Sequence, residues 1–321
     1  MTNPHPIELA FPDIAPYRKG NTAIDYVHSF DSGRSGPHVM VNALTHGNEV
    51  CGAITLDHLL KQDLRPAEGI LTLSFANVGA YARFSRDDPS RSRYVDEDFN
   101  RVWTDEVLGG PRDSAELRRA RQLRPVVASA DFLLDIHSMH EKCVPVMVCG
   151  LLDKGVAFAR QIGIPEFLIV DQGHPSGRRM RDYGGFGDPA SAKNAQLIEC
   201  GQHGERSAAE VALATSLAFL RESGILDASF FAAHPAPAPV PQRFIQVTHP
   251  ILIKTDRFVF DAPYTGMETI AKAGTVIAHD GDEPVVTPYE DCVLVMPAPR
   301  RYMKPGYTAV RLGRVVEPAA G

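Results

Sequence analysis

The chain has no run approaching the roughly 20 apolar residues that a membrane span requires. Its start, Met1 to Pro16, is polar and proline-containing, with no apolar core of signal-peptide length. Basic residues are not in excess: Lys and Arg number 33 against 39 Asp and Glu, a formal net charge of −6. That balance argues against a nucleic-acid binder. It is compatible with a small anionic substrate, because a local arginine cluster can outvote the global charge. The five cysteines (Cys51, Cys143, Cys149, Cys200, Cys292) are scattered, odd in number and without a CxxC spacing. They point to reduced thiols in a cytoplasmic protein and away from a disulfide or cysteine–zinc framework. No internal repeat is present. The 321 residues, 44% hydrophobic and 22% charged, suit one large soluble domain or two, with ample core.

What is present reads as an α/β pattern. An irregular lead-in carries one strand near Thr22–Ser29. The apolar run 38–44 is a strand, and a helix follows from Glu49 to Lys61. Residues 69–76 and 131–137 are short apolar runs, best read as buried strands, with a helix at 114–130 between them. Further strands are expected at 144–148, 167–170 and 194–200, and helices at 153–162 and 206–222. Strands alternating with helices imply a sheet with helices on both faces. Proline then alternates with small residues at 234–241, as in a semi-rigid linker. Beyond it, short β-like runs fill 242–321. The expected division is therefore an α/β domain at 1–233, a linker at 234–241 and a C-terminal β domain at 242–321.

Polar groups interrupt the apolar runs at three places. His46 and Glu49, in His46-Gly47-Asn48-Glu49, lie where a strand hands over to a helix. Such a pair is often a helix cap or a surface pair, but an imidazole and a carboxylate three apart can also converge on a metal. Asp135 and His137, two residues apart on a strand, share a face. His137 is the natural third ligand, and Asp135 can hold the far ring nitrogen of either histidine. Glu199, within Leu197-Ile198-Glu199-Cys200-Gly201, is a carboxylate in an apolar strand, costly unless paired or functional. Beside a metal it suits proton transfer. In an open α/β sheet, residues at the carboxyl ends of different strands meet in one crevice. The segment Ser92 to Arg101 adds Arg93, able to polarise a carbonyl, and Asn100 with Arg101, suited to a carboxylate. The plain alternative for that segment is a solvated charged loop.

In chain order, His46-Gly47-Asn48-Glu49, Arg93 with Asp98-Phe99-Asn100-Arg101, Asp135-Ile136-His137-Ser138 and Ile198-Glu199-Cys200-Gly201 resemble the succinylglutamate desuccinylase/aspartoacylase family. That family is a branch of the zinc carboxypeptidase-like hydrolases, and the resemblance covers roughly residues 38–225. It implies an α/β fold, a mixed β-sheet flanked by helices, followed by a smaller C-terminal all-β domain that narrows access to the pocket. It implies one zinc ion per chain on His46, Glu49 and His137, with Glu199 as general acid/base on the attacking water. Arg93 would act on the carbonyl oxygen, and Asn100 and Arg101 would hold a substrate carboxylate. The loop from Gly173 through His174 and Pro175 to Tyr183 stands where further substrate contacts belong, so Arg178, Arg179, Arg181 and Tyr183 are candidates. One C-terminal tyrosine among Tyr264, Tyr289, Tyr302 and Tyr307 is expected to reach the pocket. Gln202-His203 departs from the aspartoacylase pattern. The activity implied is a zinc-dependent amidohydrolase acting on an N-acylated amino acid or similar small carboxylate, without nucleic-acid or membrane partners and as a homodimer. The alternatives are a zinc carboxypeptidase acting on peptides, and a non-catalytic relative that binds a carboxylate or a metal.

Overall fold

Apolar residues on both sides of a strand require cover on both faces, and the runs at 38–43, 70–75 and 132–136 obtain it in the centre of a large sheet. The structure, a computed structural model, describes residues 5–173 and 176–317. His174 and Pro175 of the arginine-rich loop, residues 1–4 of the lead-in and the last four residues of the C-terminal β region lie outside the described residues. In chain order the strands are β1 (Val27–Asp31), β2 (His38–Ala43), β3 (Ile70–Phe75), β4 (Phe132–Met139), β5 (Val146–Val148), β6 (Phe167–Val170) and β7 (Asn194–Gln202). They continue as β8 (Arg243–Leu252), β9 (Phe258–Phe260), β10 (Thr269–Ile270), β11 (Val276–Asp280), β12 (Glu283–Val286), β13 (Cys292–Val295) and β14 (Thr308–Val316). The α-helices are α1 (Val50–Lys61), α2 (Val78–Tyr81), α3 (Asp105–Gly109), α4 (Ala115–Ser129), α5 (Asp153–Ile162), α6 (Arg206–Glu222) and α7 (Ala228–Ala233).

An 11-stranded sheet runs in the order β1-β3-β2-β4-β7-β5-β6-β8-β14-β13-β10, and a 3-stranded sheet in the order β12-β11-β9. Strands β3, β2, β4 and β7 are parallel, β5 runs against β7, and β6 and β8 follow β5 in parallel. The fold is thus α/β, a mixed sheet flanked by helices, with a small antiparallel sheet near the C-terminus.

Strand alternation decides which face each side chain meets. Val39, Val41 and Ala43 of β2, with Leu134 and Ile136 of β4 and Ile198 and Cys200 of β7, pack in one core with α1, α5 and α6. Met40 and Leu133 point the other way, against Leu117, Ala120, Leu123 and Val127 of α4. Asn42, Asp135, His137 and Glu199 share that second face by the same alternation. They lie toward the strand ends that α4 leaves uncovered.

The elements near the site match the sequence closely, with four differences. The first strand begins later, at Val27, because Thr22 Oγ1 hydrogen-bonds the carbonyls of Ile24 and Val27, both at 3.1 Å, and turns the chain there. Strands β4 and β7 extend to Met139 and Gln202, so His137 and Glu199 lie inside strands. The short elements α2, α3, α7, β10 and β12 were not anticipated. The proline-alternating segment is docked along its end: Val240 N donates to Gly163 O at 2.9 Å and Arg243 N to Glu166 O at 2.7 Å. β8 then adds to β6 in parallel register, Phe167 opposite Arg243, so one sheet runs across the expected boundary.

The exit from β2 is tightly confined. Leu44 adopts φ 59°, and Gly47 N donates to Arg93 O at 3.2 Å. A Cβ on Gly47 would lie 2.4 Å from Ser92 O and from Tyr81 N. Gly47→Ala is therefore expected to push the 80–93 segment off this turn and lower stability by about 1–3 kcal/mol. An unchanged urea midpoint would contradict the close approach.

Candidate metal centre and cleft

Glu49 is the N-cap residue of α1, yet its side chain makes no capping hydrogen bond. Its carboxylate turns instead toward two imidazoles. His46 Nδ1 is 2.7 Å from Glu49 Oε1, and His137 Nδ1 is 2.8 Å from Glu49 Oε2. Glu49 Oε2 and His137 Nδ1 are not aligned as acceptor and donor, so that buried oxygen has no hydrogen bond despite the short distance. Ligand atoms of His46, Glu49 and His137 all lie within 4.8 Å of one another. All three residues are buried.

Each imidazole is held from behind. His137 Nε2 is 2.8 Å from Asp135 Oδ2, and His46 Nε2 is 3.0 Å from Asp98 Oδ1. Both rings therefore present Nδ1 inward. Asp135 is fixed in turn by Asn42 Nδ2 at 2.8 Å and Thr45 Oγ1 at 2.7 Å, which ties the end of β2 to β4. Asp98 also accepts from Arg93 Nη2 at 3.0 Å. Its loop is set by Glu116, a buried carboxylate in the first turn of α4 that accepts from the backbone N–H groups of Val95, Asp96 and Glu97 at 2.6, 3.0 and 3.2 Å. Two inward imidazole nitrogens and a carboxylate oxygen without a hydrogen bond form a donor set that suits a divalent cation, with the outer nitrogens carrying the carboxylate support that metal-binding histidines use.

Glu199 stands beside this cluster, opposite His137 in the β4–β7 register. Its Oε2 is buried without a hydrogen-bond partner. Burial, reinforced by Glu49 and Asp135 and opposed by His137 and Arg93, pushes its carboxyl up to about 8. Burial works against the charged form of His137, but Asp135 and Glu49 outweigh it and hold His137 well above its usual value. The same histidines outweigh burial at Glu49 and keep that carboxylate well below its ordinary range. Asp98 likewise titrates well below a normal carboxylate: burial opposes this, and His46 and Arg93 prevail.

These groups line a cleft of about 310 Å³. Thr265, Met296, Pro297, Ala298 and Pro299 close it from the C-terminal strands.

The succinylglutamate desuccinylase/aspartoacylase catalytic-domain model matches residues 35–222. The chain belongs to this family. It is 36% identical over 109 residues to the human N-acyl-aromatic-L-amino acid amidohydrolase (carboxylate-forming), covering 31% of this chain and 33% of that protein. It is 40% identical over 87 residues to a protein of Parasynechococcus marenigrum (strain WH8102) named "Probable aspartoacylase", covering 26% of each. The chain thus spans about a third or less of the length of these relatives. In fold it is similar to succinylglutamate desuccinylase from Vibrio cholerae, with a TM-score of 0.68 at 18% identity, covering 91% of this chain and 86% of that one.

Within this family member the cleft gathers His46, Glu49, Arg93, Asn100, Arg101, His137, Arg179 and Glu199. Asn100 is only partly free: its Oδ1 accepts from Met180 N at 2.8 Å. Arg179 is held by Asp171 and by Asp182, at 2.7 Å in each case. Arg178 and Tyr183 do not line the cleft. The backbone of Arg178 bridges Val102, and its carbonyl accepts from Trp103 N at 3.2 Å. Tyr183 is buried against Trp103, its hydroxyl donating to Asp105 at 2.9 Å and accepting from Arg124 at 2.8 Å. Arg181 spends its guanidinium on Asp182 and on the carbonyls of Cys149 and Ala195. None of the four C-terminal tyrosines lines the cleft itself, although Tyr302 lines the cavity beside it; the strand residue in the cleft is Arg311 of β14. The sequence reading assigned nothing to Arg311, which lines the cleft, or to Asp98, which meets His46. Asp98 stood in a quoted motif without a role, and a carboxylate three residues before an arginine gives no sign of a distant histidine.

If Asp98 orients His46, Asp98→Ala should weaken zinc affinity about 10- to 100-fold, measured by competition with a chromophoric chelator. Equal affinity would remove Asp98 from the site. Metal uptake should also release protons, because Asp135 and Glu49 outweigh burial and raise His137, and a proton held on it must be lost on coordination. Apparent zinc affinity should therefore rise with pH through neutrality, and the calorimetric enthalpy should vary with the ionisation enthalpy of the buffer. A buffer-independent enthalpy would contradict the raised His137.

Proposed function

We propose that this chain is a zinc-dependent amidohydrolase that cleaves the amide bond of an N-acylated amino acid or similar small carboxylate. The observation that carries this reading is the convergence of His46, Glu49 and His137 within 4.8 Å beside Glu199, whose Oε2 is buried without a hydrogen-bond partner. A binding module has no use for an acid/base group in that position.

His46, Glu49 and His137 would hold one zinc ion. When bound, zinc supplies Lewis-acid polarisation of a carbonyl and acidifies water. Glu199 takes the proton of the attacking water and passes it to the leaving nitrogen; a nearby dication favours the ionised form it needs at the start. Arg93, anchored on Asp98 at 3.0 Å, donates to the oxygen on which charge develops. Arg101 has no carboxylate partner among the described residues; its Nη1 donates to Asn100 O at 2.8 Å, and it is placed to receive the substrate carboxylate.

The cleft's size and its cover of C-terminal residues favour small substrates over peptides. All five cysteines are free, which supports a reducing, cytoplasmic setting. No helix of the described residues is long and apolar enough to cross a membrane.

Glu199→Gln should retain zinc and lose about 10²- to 10⁴-fold in kcat. Assaying a panel of N-acyl amino acids against short peptides, with metal content measured on the same samples, separates the outcomes. Turnover near wild type would end the acid/base assignment, and preference for peptides would favour the carboxypeptidase reading.

A further inference from the structure

A second cavity of about 180 Å³ adjoins the cleft. Four wall segments pass from one to the other. His46 and Glu49 line the cleft and Asn48 the cavity; Arg93 lines the cleft and Pro89 and Ser90 the cavity. His137 lines the cleft, while His140 lines both, and Pro297–Pro299 give way to Arg301 and Tyr302. The cavity is thus an extension of the space around the metal centre.

The two spaces differ in chemistry. The cleft has Arg101, Arg179 and Arg311 in its walls, and the cavity has none of these. Its own Arg301 is paired with Glu141 at 2.7 Å, and its one carboxylate, Asp88, at the rim, accepts from Ser90 Oγ. Phe11 and Phe84, ring centroids 3.6 Å apart, form one wall. The His140 ring lies between His203 and Tyr302, with centroids at 4.6 and 4.8 Å. Burial lowers His140 well below its usual value and takes His203 down to about 3, so both imidazoles are neutral. Asn48 is 1% exposed, and neither its amide oxygen nor its amide nitrogen has a hydrogen-bond partner. A buried amide left bare on the cavity wall is a recognition group awaiting a ligand.

We propose that this cavity is an acyl-group subsite that takes a neutral, bulky apolar or aromatic acyl chain, such as an arylacetyl group. The inference rests on the amidohydrolase reading. With the scissile carbonyl at the metal centre, the charged amino-acid half belongs at Arg101 in the cleft. The acyl half extends past Asn48, whose amide meets a polar atom of the chain, into the aromatic walls. Gln202-His203, the departure after Glu199, becomes part of this subsite.

The test compares kcat/KM for N-acetyl and N-phenylacetyl derivatives of one amino acid that the zinc enzyme hydrolyses. Wild type is expected to favour the phenylacetyl compound by 10-fold or more. Ser90→Trp places an indole at the exposed rim without touching the core, and should lower the phenylacetyl-to-acetyl ratio at least 10-fold. Phenylacetate binding to the zinc-loaded Glu199→Gln protein, read by calorimetry, should weaken by a similar factor when Ser90→Trp is added. A wild type that prefers acetyl, or a ratio unmoved by Ser90→Trp, overturns the subsite while leaving the hydrolase in place. Hydrolysis of neither compound, nor of any N-acyl amino acid, overturns the hydrolase and the subsite with it.

Discussion

Burying two imidazoles and a carboxylate against each other is the constraint on which this fold is arranged. Without a counter-ion, such groups lose hydration and are strongly destabilising. Here the aspartates behind the rings do the compensating: Asp135 behind His137 and Asp98 behind His46. Each aspartate is fixed from a different part of the chain. Asn42 and Thr45 bind Asp135 across the β2–β4 pair. Glu116 gathers the backbone of 95–97 and so delivers Asp98. A residue of α4 outside the cluster thereby governs the position of His46, one of the candidate metal ligands.

The site occupies its place because the sheet has two unequal faces. One is covered along its length by α1, α5 and α6; the other is covered by α4 only in part. Alternation along β2, β4 and β7 sends Asn42, Asp135, His137 and Glu199 to the second face, where cover stops. The antiparallel β5 and the continuation through β6, β8 and β14 then curl the C-terminal residues over the opening. Met296 and Pro297–Pro299 close it, and Arg311 enters from a strand more than a hundred residues after the last catalytic candidate.

What the sequence made legible follows from this geometry. His46, Glu49, His137 and Glu199 were visible because each interrupts an apolar run, where a polar group needs a reason. Helices α5 and α6 and strand β6 were visible from periodicity and punctuation. Arg311 was not, because an arginine alternating with apolar residues in a late strand reads as a solvent face, and only the closure of the sheet reverses that. Arg178 and Tyr183 misled for the complementary reason. Arginines in a glycine-rich loop resemble ligand contacts until their partners are known, and Tyr183 finds its own in Asp105 and Arg124. The docked stretch after residue 234 read as a linker because proline composition reports stiffness and not contact.

Pairing separates the cleft's four arginines by role. Arg93 and Arg179 are tied to Asp98 and to Asp171 and Asp182, so their geometry is fixed before any ligand arrives. Arg101 and Arg311 have no carboxylate among the described residues; Arg311 donates only to the Met296 sulfur, at 3.7 Å, a weak acceptor. Burial lowers both guanidinium groups, and Arg311 and Arg179 add to the effect at Arg101. An enclosed cation without a partner is unfavourable by itself and becomes favourable when an anion enters. The free protein thus carries arginines without carboxylate partners in the cleft and a largely aromatic cavity beside it, within a chain whose net charge is −6. On the proposed reading, an amide with one charged and one apolar half would meet that asymmetry in a single orientation, with its carbonyl between the halves and at the histidines. Charge segregation in the walls would then set the orientation before any group at the proposed reacting centre takes part.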